Sequence, residues 1–149
     1  MNRIINSLAT AEYNKTINAV EVNFKGVGTS QLYYDTLDIA MNISLVYHTN
    51  QWLFRKTHFK DLGQSSFLSF LKRWSAKANC LYAEHLNVVG CKAALYTTAE
   101  SYLYMLSQVE ISDNPEDLLP NMEFKIFTNI EAAQQYLNQG KEPKIAIST

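Results

Sequence analysis

The stretch that decides the fold is residues 17–30, INAVEVNFKGVGTS, which leads into apolar residues at helical spacing. Val20, Val22 and Phe24 alternate with more polar neighbours, and a period of two is typical of a half-buried strand. Glycines then end the strand, and either residue of Thr29-Ser30 can cap the helix that follows. We therefore predict a strand that passes directly into a helix.

The same succession of strand, turn and helix patterns continues in both directions along the chain. Upstream, residues 7–13 pair with residues 17–25 as a β-hairpin whose turn lies at residues 14–16. Downstream, apolar runs rich in strand formers alternate with helical stripes, and strands alternating with helices indicate parallel crossovers. The predicted class is α/β: a mixed five-stranded sheet with an N-terminal β-hairpin and then β-α repeats, covered by about four helices. The downstream predictions are a strand at residues 52–54, a long helix capped by Ser65 or Ser66, a strand over Cys91–Thr97, a strand over Glu123–Phe127, and capping boxes at Thr97–Glu100 and Thr128–Glu131.

Composition narrows the class of protein. The chain has 149 residues, 47% of them hydrophobic and 18% charged, with a net charge of -1. These values predict one domain over residues 1–149, with its core at about 7–139 and a tail at 140–149. A near-neutral chain lacks the basic footprint of a nucleic-acid binder. Two cysteines, no signal peptide and no apolar run of membrane-spanning length favour a cytoplasmic protein without a membrane partner.

Motifs for several chemistries are missing from the sequence. It contains no GxGxxG, no GxxxxGK[ST] and no GxSxG, and its three histidines have no metal-binding spacing. Gly26-Val27-Gly28 is best interpreted as a strand exit before a helix rather than as a phosphate cradle. We expect no catalytic, metal-binding or cofactor-binding residues, and therefore a protein that is not an enzyme.

The most polar loop runs from Lys56 to Ser66. One interpretation is structural, with a serine capping the next helix. The other is regulatory, because a phosphorylated hydroxyl at a helix N-terminus could pair with nearby lysines. A hydrolase that uses His58 and Asp61 is a third and weaker interpretation. The candidate regulatory phosphosites are Ser65, Ser66 and Thr57, and the candidate anion-pairing residues are Lys56 and Lys60.

Tyrosines are numerous, nine in all, and too many to be buried together with their hydroxyls hydrogen-bonded. Tyr102 and Tyr104 cannot share one helix face, so we expect at least one of them to point outward. An exposed aromatic surface would suit a homodimer or a protein partner, and tyrosines at the rim of the core are the alternative.

The order and lengths of these elements resemble the STAS domains, and within them the SpoIIAA-like group of small bacterial proteins. The matching features, which together cover about residues 7–138, are Val20–Gly26, Trp52–Phe54, the long helix from Ser66, Cys91–Thr97 and Phe124–Ala133. The resemblance implies a helix-covered mixed sheet that serves as a regulatory or binding module, usually without catalysis.

The resemblance also implies where a switch would lie. In related anti-sigma-factor antagonists a phosphorylated Ser or Thr stands where the central strand meets the next helix, which is the Lys56–Ser66 loop here. The family's Asp-Ser-Ser-Gly run is absent, and Arg55 and Lys56 replace an Asp common in SpoIIAA-like relatives.

Three functions follow as hypotheses. The first is a non-enzymatic regulatory or protein-interaction module of STAS-like type, with an unidentified protein partner. The second is a binder of a small apolar or anionic ligand, and the third is the phospho-switch at the loop before the long helix.

Overall fold

The computed structural model describes residues 3–59, 64–108 and 122–138, which form one sheet of six strands and four helices. In chain order the elements are β1 (Arg3–Ile5), β2 (Ala9–Asn14), β3 (Ala19–Phe24), α1 (Ser30–Val46), β4 (Gln51–Lys56), α2 (Gln64–His85), β5 (Cys91–Tyr96), α3 (Ala99–Gln108), β6 (Met122–Phe127) and α4 (Ile130–Asn138). The predicted α/β class is confirmed. The predicted tail at 140–149 lies outside the described residues.

The strands are neighbours in the order in which they occur along the chain, β1 to β6. β1, β2 and β3 are antiparallel, and β3 through β6 are parallel. The sheet is therefore mixed as predicted, but it has one strand more than the expected five. The additional β1 pairs Arg3 with Glu12 and is three residues long. A segment this short shows too little alternation to be recognised from sequence.

The helices divide unequally between the two faces of the sheet. α1 and α2 pack over the face that carries Val20, Trp52 and Leu95, which we call the first face. α4 packs over the second face, against Leu53 and Ala94. Since each parallel connection steps to the next strand in the same direction, right-handed crossovers bring their helices to one face.

The residue that caps α1 is one of those predicted, whereas the starts of α2, α3 and α4 differ from the prediction. The Thr29 side chain accepts from the Leu32 amide at 3.2 Å and caps α1 as predicted. α2 already includes Ser65 and Ser66 in its first turn, so neither residue precedes the helix as a cap. The caps of α3 and α4 each lie one residue later than the predicted threonine. In α3 the Thr98 hydroxyl accepts from the Ser101 amide at 3.1 Å. In α4 the Asn129 side chain accepts from the Ala132 amide at 3.0 Å.

A close backbone approach joins the start of the hairpin to the exit of β3. The Gly26 amide donates to the Leu8 carbonyl at 3.0 Å, and a Cβ on Gly26 would lie 2.1 Å from the Ser7 carbonyl oxygen. Glycine is required here because no side-chain carbon fits at that distance.

Candidate functional site

The parallel strands end in a row of side chains at one edge of the sheet. Phe24 is the register partner of Lys56, and Arg55 is the partner of Tyr96, so Thr97 follows beside Lys56. The alternation of β3, β4 and β5 directs this row toward the first face, beneath α1 and α2. We call this edge the carboxyl edge, and in open α/β sheets it is where ligands bind.

Lys56 is the unusual member of the row, because its side chain is only 1% exposed. Its ammonium group donates a hydrogen bond to the Tyr33 hydroxyl of α1. It also lies 5.0 Å from the centre of the Tyr33 ring and 5.1 Å from that of Phe59. The rings of Phe24 and Phe67 are 5.6 and 5.8 Å away. We call these four rings and the lysine the Lys56 cluster.

The rings of the cluster hold one another in place. Phe24 stacks on Tyr33 with 5.3 Å between centroids, and Phe67 meets Phe24 edge-on at 5.7 Å. Phe59 meets Phe67 edge-on at 5.7 Å. Aromatic faces carry negative potential and attract a cation, by about 2 kcal/mol or more when water is excluded. The cluster can therefore hold a positive charge away from bulk water.

The start of α2 adds to the positive potential. Phe67 comes from its first turn, so this helix N-terminus lies beside the Lys56 cluster. A helix N-terminus behaves as about half a positive charge, and the first turn of α2 carries no acidic residue. The lysine and the helix dipole together favour an anion at this edge.

Thr97 is the third member of the row and is also 1% exposed. Its amide continues the sheet ladder by donating to the Phe127 carbonyl at 3.0 Å, but its hydroxyl has no hydrogen-bond partner among the described residues. Because the ladder extends to Thr97, the capping role moves to Thr98, and the Thr97 hydroxyl lies buried at the start of α3. Sequence analysis missed this residue because it assigned the hydroxyl to a capping box.

Most of the predicted site residues lie just before or just after residues 60–63, which the structure does not describe. Thr57 is half-buried directly after β4, and Ser65 and Ser66 belong to the first turn of α2, where only their backbone is described. Lys60 and Asp61 lie outside the described residues. Lys56 is not a surface residue of that loop, as its pairing with a phosphorylated serine would suggest, but part of the core. The alternation with Trp52 and Phe54 was the signal that could have revealed it.

Other chemically active side chains are dispersed. His48, His58 and His85 are each exposed, and no cluster of His, Cys, Asp or Glu in the described part of the chain could hold a metal ion. Burial raises the pKa of the Cys91 thiol to about 12, which suppresses its nucleophilic thiolate form, while Cys80 is exposed on α2.

A second buried polar group lies at the opposite end of the first face. The Tyr82 hydroxyl accepts from Trp52 Nε1 at 2.8 Å and contacts the Ser44 hydroxyl, which donates to the Thr49 carbonyl at 2.7 Å. Burial raises the pKa of the Tyr82 hydroxyl. Each group finds a partner, so this network joins α1, α2 and β4 without leaving a polar atom for a ligand.

The second face is more polar and more open. Arg55 Nε lies 2.7 Å from Glu21 Oε2, and the Tyr136 hydroxyl donates to Glu123 Oε2 at 2.9 Å. A depression of about 310 Å³ lies beside β6 and α4 and includes Lys125, and another of about 360 Å³ lies between Asn14 and α4. Both are shallow and lack the convergence of buried polar groups found at the carboxyl edge.

The tyrosines divide between buried and exposed positions. Tyr33, Tyr82 and Tyr136 are buried, and the hydroxyl of each has a hydrogen-bond partner. Tyr104 is 48% exposed while Tyr102 is half-buried, which confirms that the two point differently.

The chain matches no family model, no curated protein and no solved structure. Among the described residues, no helix combines the length and the apolar character needed to cross a membrane.

Proposed function

We propose that this protein is a non-enzymatic binding module that recognises a small anionic ligand at the carboxyl edge of its sheet. The observation that carries the proposal is the Lys56 ammonium group, buried among four aromatic rings beside the start of α2. The proposal keeps the regulatory class implied by the STAS resemblance and makes a small anion the signal that the module receives.

The physical argument starts from the cost of burial. Removing an ammonium group from water costs several kcal/mol, and an apolar side chain of similar length is often as stabilising or more so. A positive charge held at this depth attracts an anion more strongly than a surface lysine would, because the attraction is strongest where water is excluded.

Access to the ammonium group would come through Phe59. Of the four rings, this one alone belongs to neither a helix nor a strand, since it follows β4 in an irregular segment. A rotation of this side chain would open the cluster while Phe24, Tyr33 and Phe67 remain fixed by the sheet and by α1 and α2. Anion binding should therefore change the surroundings of Phe59 more than those of the other rings.

Calorimetric titration with sodium phosphate, sodium sulfate and sodium acetate, at constant ionic strength set with chloride, tests the proposal. We expect at least one of these anions to bind the natural protein, and Lys56→Met to abolish that binding. Lys92→Met is the matched control, because Lys92 also lies over a ring, 4.5 Å from the centre of Tyr136, but on the second face. Equal affinity of the Lys56→Met variant and the natural protein would overturn the proposal.

A protein partner or a homodimer is the second candidate. On α3, Leu103 is 63% exposed and Tyr104 is also exposed, so this helix presents apolar side chains to solvent. Sedimentation equilibrium of the natural protein and of Leu103→Asp tests this candidate. A dimer that dissociates in the variant supports it, and a monomer at all concentrations refutes self-association through α3.

The phospho-switch remains a prediction for the same region. A phosphate on Ser65 or Ser66 would stand in the first turn of α2, where the helix dipole favours negative charge. Ser65→Glu and Ser66→Glu should then weaken anion binding by competition at the carboxyl edge. Unchanged affinity in both variants would argue against the switch.

A further inference from the structure

We infer that the Thr97 hydroxyl is a second ligand-binding group of the carboxyl edge, and that the ligand is a phosphate group, free or as a monoester. The inference rests on the proposed function, because it places Thr97 beside Lys56 in one anion site. It adds a donor that the sequence did not assign to any site and a chemical class for the ligand.

The first step is the unused hydroxyl itself. Thr97 is 1% exposed, and its Oγ1 is without a hydrogen-bond partner in the part of the chain that the structure describes. Most buried polar side chains in proteins are hydrogen-bonded, so an unpaired one requires an explanation, and a role in ligand binding is one. A valine would fill the same volume without leaving a polar atom unpaired.

The second step is position. Arg55 and Tyr96 are register partners on the parallel strands β4 and β5, so Lys56 and Thr97 are the next pair. Neighbouring strands are about 4.8 Å apart, and alternation directs both side chains toward the first face. Lys56 and Thr97 therefore start from neighbouring strand positions and face the same side of the sheet at its carboxyl edge.

The third step is the helix that follows. Thr97 immediately precedes the cap of α3, a helix of ten residues, so its hydroxyl stands at a positive helix end. α2 begins beside Lys56 on the other side. A lysine, a hydroxyl and two helix N-termini thus belong to the same carboxyl edge, on separate elements.

The chemical class of the ligand follows from the separate elements that supply the donors. A carboxylate presents two oxygens in one plane, whereas a phosphate presents oxygens on several sides and carries more charge at neutral pH. Donors that come from β4, β5 and two helix starts suit the tetrahedral anion. The same donors would bind inorganic phosphate or the phosphate of a monoester.

The experiment compares phosphate affinity in Thr97→Val, Lys56→Met and the natural protein by calorimetric titration. The probes are inorganic phosphate and ethyl phosphate, with acetate as the planar comparison. A hydrogen bond to a charged group contributes enough that its loss should weaken phosphate binding at least about tenfold. The relative affinities of the two phosphates show whether the free anion or the monoester is the better ligand.

The melting temperature distinguishes a binding role of Thr97 from a structural one. Thr97→Val removes an unpaired polar atom, so its melting temperature should equal or exceed that of the natural protein. Thr36→Val is the matched control, because the Thr36 hydroxyl is buried and donates to the Leu32 carbonyl at 2.8 Å. We expect this control to melt at a lower temperature and to bind phosphate normally.

The possible failures are distinguishable. If Lys56→Met abolishes binding while Thr97→Val binds phosphate as the natural protein does, the role of Thr97 is refuted and the proposed function stands. Acetate bound more tightly than phosphate would refute the assigned ligand class. Undiminished phosphate affinity in Lys56→Met would refute the proposed function itself.

Discussion

Replacing Lys56 by methionine removes the positive charge of the Lys56 cluster and keeps a buried side chain of similar length. The ammonium contributes attraction to its nearest rings, at 5.0 Å for Tyr33 and 5.1 Å for Phe59, at about 0.5–2 kcal/mol each. Its hydrogen bond to the Tyr33 hydroxyl adds about 1.5–3 kcal/mol. Against these contributions stands a desolvation cost of several kcal/mol. We therefore expect Lys56→Met to change the free energy of unfolding by no more than about 1 kcal/mol, or to raise it.

Lys56→Ala supplies the contrast. It removes three buried methylene groups beyond Cβ, each contributing about 0.8 kcal/mol, so the transfer loss is about 2.4 kcal/mol. Incomplete collapse around the vacated space brings the expected loss to about 2–5 kcal/mol. Alanine should thus destabilise the protein while methionine does not.

Urea denaturation followed by tryptophan fluorescence measures both variants, because Trp52 and Trp74 are buried and 4.9 Å apart. The two rings will report the opening of the first face. If Lys56→Met loses as much stability as Lys56→Ala, the ammonium group is a structural element. The argument that its charge serves a ligand would then be wrong.

Three further predictions concern other parts of the fold. Gly26→Ala should lower the free energy of unfolding by about 1–3 kcal/mol in urea denaturation, because the added carbon would lie 2.1 Å from the Ser7 carbonyl oxygen. Tyr82→Phe should cost about 1–3 kcal/mol in the same assay, because it leaves Trp52 Nε1 without its acceptor. Between pH 9.0 and about 12 the unfolded Cys91 thiol ionises while the folded thiol keeps its proton. Stability should therefore fall as pH rises, by up to about 1.4 kcal/mol per pH unit, and Cys91→Ala should reduce this slope in urea denaturation at pH 8 and pH 10.

Each of these predictions has a control in the same chain. Gly28→Ala meets the Leu32 side chain, whose flexible Cδ2 end is nearest at 2.9 Å, rather than backbone, and should cost less than the change at Gly26. Tyr47→Phe alters an exposed tyrosine and should leave stability unchanged. Cys80→Ala alters an exposed thiol and should leave the alkaline slope unchanged. Equal effects of a variant and its control would contradict the corresponding reasoning.

Local patterns predicted the elements of this fold well. The alternation at Val20, Val22 and Phe24 marked β3, and its burial follows that pattern. The helical stripe from Phe67 to Tyr82 marked α2, and both residues are buried. These features depend on neighbours within a few residues, which a single sequence displays directly.

Features that depend on distant residues were missed. Lys56 is buried because rings from β3, α1 and α2 and from the segment after β4 converge on it, and no local window contains them all. Thr97 loses its capping role because its amide bonds to Phe127, thirty residues away along the chain. The predicted loop from Lys56 to Ser66 is shorter at both ends, because Lys56 belongs to β4 and both serines belong to α2, and the burial of the lysine required the tertiary structure.

The consecutive order of the strands also bears on synthesis of the chain. Each new strand from β2 to β6 pairs with the strand made just before it, so the sheet can grow at one edge as the polypeptide emerges from the ribosome. The second face is different, because Leu53 and Ala94 are covered by α4, which is made after the six strands that the structure describes. Until residues 130–138 have emerged, that apolar surface faces water and is open to chaperones. A nascent chain stalled before Ile130 should therefore bind a chaperone through β4 and β5, and it should release it once α4 docks.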